Sequence, residues 1–181
     1  NAGPRTGPRT PVTMTPPSTP GGEIRISAPL LGLISDAAEA AFPAECCGLL
    51  AGHGNHTAGF VVTRVIPSDN VAETDHHDSF EVDPQVRFDL MRELGEIGDG
   101  PKSDERMIGH YHSHPNHPSE PSARDLAKAF EPDLVWVIVG VKTGKTDKIT
   151  AHILHPQDTT FQEIPLLEEA RTAYPADLED S

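Results

Sequence analysis

Cysteine, basic residues and long apolar runs are all scarce in this chain, and each scarcity excludes something. The only cysteines are the neighbours Cys46 and Cys47. Consecutive strand residues point to opposite faces, so no bridge between them is expected and a disulfide scaffold is excluded. A pair of free thiols suits a reducing compartment, and the expected location is cytoplasmic. Lysine and arginine total 14 against 28 acidic residues, for a formal charge of −14. No basic cluster longer than a pair offsets this, so phosphate backbones are repelled and nucleic acid is not an expected partner. An acidic surface better suits a basic or neutral protein or peptide. No apolar run approaches the roughly 18 residues of a membrane span, and the N-terminus lacks the apolar stretch of a secretory signal. No membrane association is expected.

What is present suffices for one domain with a hydrophobic core: 181 residues, 36% hydrophobic and 23% charged. Residues 1–22 hold six prolines and almost nothing apolar. Such a stretch cannot offset its ordering entropy, and a disordered arm is expected there. Periodicity begins at Glu23, with a short strand to Ser27. Ser27 as cap and Pro29 near the first turn open a helix with Leu30, Leu31, Ile34, Ala37, Ala38 and Ala41 at helical spacing, stopped by Pro43. Residues 46–51 and 60–66 read as a hairpin, 67–78 as a polar loop, and 79–82 as one more brief strand. Asp83-Pro84 opens a second helix, with Val86, Leu90, Leu94 and Ile97 on one face. A strand over 107–114 and a short helix over about 122–130 follow. The most hydrophobic run, 134–141, predicts a central strand buried on both faces. Two further strands, 149–154 and 161–166, close a domain expected over 23–167, and 168–181 is expected to form an acidic, partly helical tail. Strands and helices without strict alternation predict an α+β fold, a curved, mainly antiparallel or mixed sheet flanked by helices.

The segment that carries chemistry is His112-Ser113-His114-Pro115, followed by Ser122-Ala123-Arg124-Asp125. Histidines two apart on a strand project from the same face, within reach of one ion. Ser122 and Asp125, three apart at a helix start, also share a face, and the intervening loop allows the carboxylate to fold back onto the imidazoles. Two imidazoles and a carboxylate make a three-ligand set suited to a single Zn²⁺, with a fourth position left for water. A lone H-x-H is better read as two surface histidines at a strand end. Joined to S-x-x-D at this spacing, chance is a poor explanation.

These residues resemble the signature of the JAMM (MPN-plus) metalloproteases, a Glu upstream and then H-[ST]-H-x7-S-x2-D, and match it at every position: Glu45, His112, Ser113, His114, Ser122 and Asp125. Glu45-Cys46-Cys47-Gly48-Leu49-Leu50 is similar to the E-x-C-G-L-L of compact bacterial members, and Gly109 and Tyr111 also sit where that group has Gly and an aromatic. His110 departs from the usual aromatic. The resemblance covers about 23–167. It implies a JAMM/cytidine deaminase-like architecture and a zinc peptidase or isopeptidase, with His112, His114 and Asp125 as ligands. It further implies Glu45 as general base and Ser122 as a stabiliser of the oxyanion. Only ten residues separate Asp125 from Trp136, which leaves no room for the insertion by which ubiquitin-directed members grip ubiquitin. Compact members are linked to small ubiquitin-like or sulfur-carrier proteins ending in Gly-Gly, the substrate class the resemblance favours. A non-catalytic scaffold and a zinc amidohydrolase of another substrate stay open as alternatives, and the sequence carries no signal for oligomeric state.

Other residues read as structural. Ser113 points away from the ligand face and is expected to pack or to hydrogen-bond behind it. His110 shares the ligand face but is expected to pack. His117 belongs to the loop beside the site, where contact with substrate and simple solvation both stay open. His76-His77-Asp78 reads as an exposed loop rather than a second metal site, and His53 and His56 flank a turn. Cys46, Cys47 and Trp136 are expected in the core.

Overall fold

The computed structural model describes residues 22–155 and 159–169. The expected arm therefore lies outside the described residues except for Gly22, and the expected tail except for Glu168 and Glu169. Eleven elements follow in the order β1 (Ile24–Ser27), α1 (Ala28–Ala41), β2 (Cys47–Asn55), β3 (Gly59–Ser68), α2 (Pro84–Leu94), β4 (Arg106–Pro115), α3 (Ala123–Lys128), β5 (Val135–Lys142), β6 (Lys145–His155), β7 (Thr160–Ile164) and β8 (Leu166–Glu169). The strands form one sheet in the order β7-β6-β5-β4-β2-β3-β1-β8. Four neighbouring pairs are antiparallel, whereas β4–β5, β1–β3 and β1–β8 are parallel, so the α+β expectation holds with a mixed sheet.

Strand alternation sorts the side chains onto two faces. One face carries Leu50, Tyr111, Val135, Val137 and Val139 and is covered by α1, which buries Ile34 and Ala38 in it. The other carries Leu49, Ala51 and Met107 and receives Leu90 and Leu94 of α2. Cys46 falls in the first cluster and Cys47 packs with Phe80 and Trp136 on the opposite side, so the two free thiols face apart. Gly109 lets β5 come close, since a Cβ there would lie 2.2 Å from the Val135 carbonyl oxygen. None of the described helices is long and apolar enough to cross a membrane.

Four expectations need correction. Residues 79–82 form no strand; a single bridge joins Asn70 to Val82, because Ser79 and Glu81 spend backbone groups on the Asn70 side chain. Ile97 lies beyond α2, which Gly95 ends in the left-handed region at φ 79°. Helix α3 stops at Lys128 rather than near Phe130, a residue that is 84% exposed and offers no buried contact to draw the helix on. Glu168 and Glu169 are strand, not helix: β8 pairs in parallel with β1 from Ile24↔Leu166 to Ser27↔Glu169, so the boundary expected at 167 cuts through an element.

Candidate active site

His112 and His114 leave β4 on the face away from α1, both buried. Their Nε2 atoms lie 2.9 Å apart. His114 Nδ1 is 2.8 Å from the Pro118 carbonyl oxygen, which can only accept, so Nδ1 carries a proton and Nε2 is the ring atom turned toward His112. The His112 ring stacks on Phe80, with centroids 4.1 Å apart, and meets the edge of Trp136.

Asp125 reaches the same point from the first turn of α3. Ser122 caps this helix: its hydroxyl accepts from the Asp125 amide at 3.1 Å, and Asp125 Oδ2 accepts from the Ser122 amide at 2.6 Å. This reciprocal capping box is what S-x-x-D forms at a helix start. The carboxylate also points Oδ1 at His112 Nε2, 3.2 Å away, and Oδ2 at His114 Nε2, 3.4 Å away. Burial alone would raise the Asp125 carboxyl. Hydrogen bonds from the two imidazoles outweigh it and hold the group well below the usual carboxylate range. Burial pushes His112 down; it also opposes the charged form of His114, but there the bonds to Asp125 and Pro118 and the nearby carboxylates of Asp125 and Glu45 together outweigh it and push the group up.

The donor set suits a divalent ion. Donors held 2.0–2.1 Å from a tetrahedral ion stand about 3.3 Å from one another. The two imidazole nitrogens stand 2.9 Å apart and each faces its own oxygen of the carboxylate, at 3.2 and 3.4 Å; taking one donor atom per residue, the three buried groups lie within 4.8 Å of one another.

Glu45 precedes β2, whose Cys47 pairs with His112 in the antiparallel register of β2 and β4. Two residues further along, the same register brings Glu45 level with His114. Ser113 secures the junction: its hydroxyl accepts from the Cys46 amide at 2.8 Å and its amide donates to the Cys46 carbonyl. Glu45 is only 6% exposed, and desolvation pushes its carboxyl up to about 7. It lines a cavity of about 260 Å³ together with Asp78, His114, His117, Glu120 and Ser122.

The five residues singled out in the sequence thus come together: His112, His114 and Asp125 at one point, with Glu45, His114 and Ser122 on one cavity wall. His110 packs edge-on to Trp136 at 4.1 Å, and burial pushes its imidazole down to about 3, so it is a neutral packing group outside the converging donors. His76 and His77 are exposed, as expected, but Asp78 of the same loop enters the cavity wall. Sequence reasoning missed Asp78, Phe80 and Asn70. The available signal was the length of the polar loop at 67–78, since loops of that size between elements often carry function.

A family profile described as prokaryotic homologs of the JAB domain matches residues 27–152. The chain belongs to this JAB-domain family. A desampylase from Haloferax volcanii is 33% identical to this chain over 110 residues, which span 61% of this chain and 69% of the relative. The fold is similar to that of a Desulfitobacterium hafniense protein solved in solution, with a TM-score of 0.64 and 27% identity over 82% of this chain and 95% of that one. A Salinibacter ruber protein, also solved in solution, gives a TM-score of 0.59 and 27% identity over 81% and 91%.

Proposed function

We propose that this JAB domain hydrolyses a peptide or isopeptide bond with one Zn²⁺ held by His112, His114 and Asp125, Glu45 as general base and Ser122 as oxyanion donor. The observation that carries the reading is the approach of two imidazole nitrogens and one carboxylate to within 2.9–3.4 Å beside a cavity walled by Glu45 and Ser122. When bound, zinc lowers the pKa of water from about 15.7 toward about 7 and polarises the scissile carbonyl.

The protein's own groups do the rest. The Pro118 carbonyl accepts from His114 Nδ1 and so orients Nε2 as the ring's ligand atom. Glu45, pushed up to about 7, is poised to take a proton from the attacking water and return it to the departing amine near neutral pH. The Ser122 oxygen already accepts from the Asp125 amide, which leaves its proton free to donate to the developing oxyanion.

The substrate we propose is the Gly-Gly tail of a small ubiquitin-like or sulfur-carrier protein. Kinship with a desampylase supports a JAB-family hydrolase acting on a ubiquitin-like modifier. A cavity of about 260 Å³ suits a tail without side chains.

Metal analysis and a panel of Gly-Gly-tailed carrier fusions test this. About one zinc per chain is expected, with cleavage by the parent. Glu45→Gln should keep its zinc and lose roughly 100- to 10,000-fold in kcat, the span of a general base. Purified protein that takes up no zinc would sink the reading in favour of a scaffold. Hydrolysis of small amides without any fusion would favour the amidohydrolase.

A further inference from the structure

Glu45 lies outside regular structure, two residues before β2 begins, so the sheet ladder does not fix its own peptide groups. Both are held instead by the loop between β3 and α2. The Glu45 amide donates to the His76 carbonyl at 2.7 Å, and the Glu45 carbonyl accepts from Asn70 Nδ2 at 3.1 Å.

Asn70 makes three further bonds. Its Nδ2 also donates to the Ser79 carbonyl at 2.9 Å, while Oδ1 accepts from the amides of Ala72 at 3.1 Å and Glu81 at 3.0 Å. An asparagine amide has two donor hydrogens and two acceptor sites, so this side chain is fully used. Its partners lie at both ends of the loop as well as on Glu45. One planar group thus closes the loop on itself and ties it to the residue before β2.

We infer that Asn70 is a positioning residue for Glu45: it fixes the Glu45 backbone, and through the folded loop the His76 carbonyl, so that the carboxylate stands level with His114. The inference rests on the proposed role of Glu45 as base. Displacement of a reacting group by about 1 Å costs on the order of 100-fold in rate, so two hydrogen bonds that set where Glu45 begins matter for turnover.

Asn70→Asp in the full, zinc-loaded chain is the discriminating change. It removes both donated bonds, to Glu45 and Ser79, and keeps oxygens facing the Ala72 and Glu81 amides. With a cleavable Gly-Gly fusion, kcat is expected to fall roughly 10- to 100-fold while KM and bound zinc hold. In a Glu45→Gln background the same change should cost nothing further, because no base remains to be placed; a purely structural role would lower activity in both backgrounds. Amide exchange in metal-free protein gives a second readout: Glu45 loses protection while Cys47 and His112 keep theirs. Asn70→Ala should behave alike, and if it fails to fold, Asn70→Asp decides. An unchanged kcat with a protected Glu45 amide, or a loss carried by KM or by zinc, overturns the inference. A parent chain that cleaves nothing defeats the hydrolase reading instead, and amide exchange then decides the positioning alone.

Discussion

Glu45 is a carboxylate kept where a carboxylate is costly. Its folded pKa is about 7 against an ordinary 4.5, because desolvation disfavours the charged form. The sign follows: below about 4.5 the group is neutral folded and unfolded, and stability is unaffected. As pH rises from 4.5 toward 7 the unfolded state ionises first, so the native state loses stability, by up to roughly 3 kcal/mol once pH exceeds the folded value. Glu45→Gln removes the ionisation. In metal-free protein it should melt close to the parent at pH 4.5 and above it at pH 8, a difference that thermal melts across this range will read. Equal melting temperatures at pH 8 would show that the carboxylate is better solvated than its burial implies.

At the scale of the element, α3 has six residues and owes its start to one pair of side chains. Asp125 serves two ends there, accepting from the Ser122 amide while facing both imidazoles. Ser122 likewise caps the helix and lines the cavity. These roles separate by substitution. Ser122→Ala should cost about 1 kcal/mol of stability through the lost cap, and Ser122→Gly only a few tenths, because glycine is itself a tolerated cap. Both remove the hydroxyl, so both should lose about 100- to 1,000-fold in kcat. Activity that followed stability, with Ser122→Gly nearly normal, would leave Ser122 a cap alone.

For the whole molecule, the proposed ligands come from a strand and a helix, so a metal bound there would depend on the packing of β4 against the loop that leads into α3. An ion that binds only this arrangement stabilises the native state by mass action, by about 4 kcal/mol when its concentration is 1,000 times its Kd. Zinc should raise the melting temperature, a chelator should reverse the rise, and Asp125→Ala should show neither effect. Titration of metal-free protein followed by calorimetry would check this, and an equal rise in the Asp125→Ala protein would point to binding elsewhere.

The sequence by itself determined the elements whose signal is local. Val135–Lys142 is continuous and β-branched, and α1 and α2 carry a proline in the first turn and an apolar face. The spacing of His112, His114, Ser122 and Asp125 was legible because strand and helix periods fix which of these residues share a face. Tertiary structure decided what depended on distant partners. Leu166–Glu169 is strand only because β1 offers it an edge, and 79–82 is not strand because Asn70 takes its backbone groups. Glu45 stands 67 residues before His112, and only the pairing of β2 with β4 brings it beside the imidazoles. Hydrogen-bond partners and burial are properties of the assembled sheet, which is why periodicity showed that His112 and His114 share a face and left the loop that holds Glu45 unread.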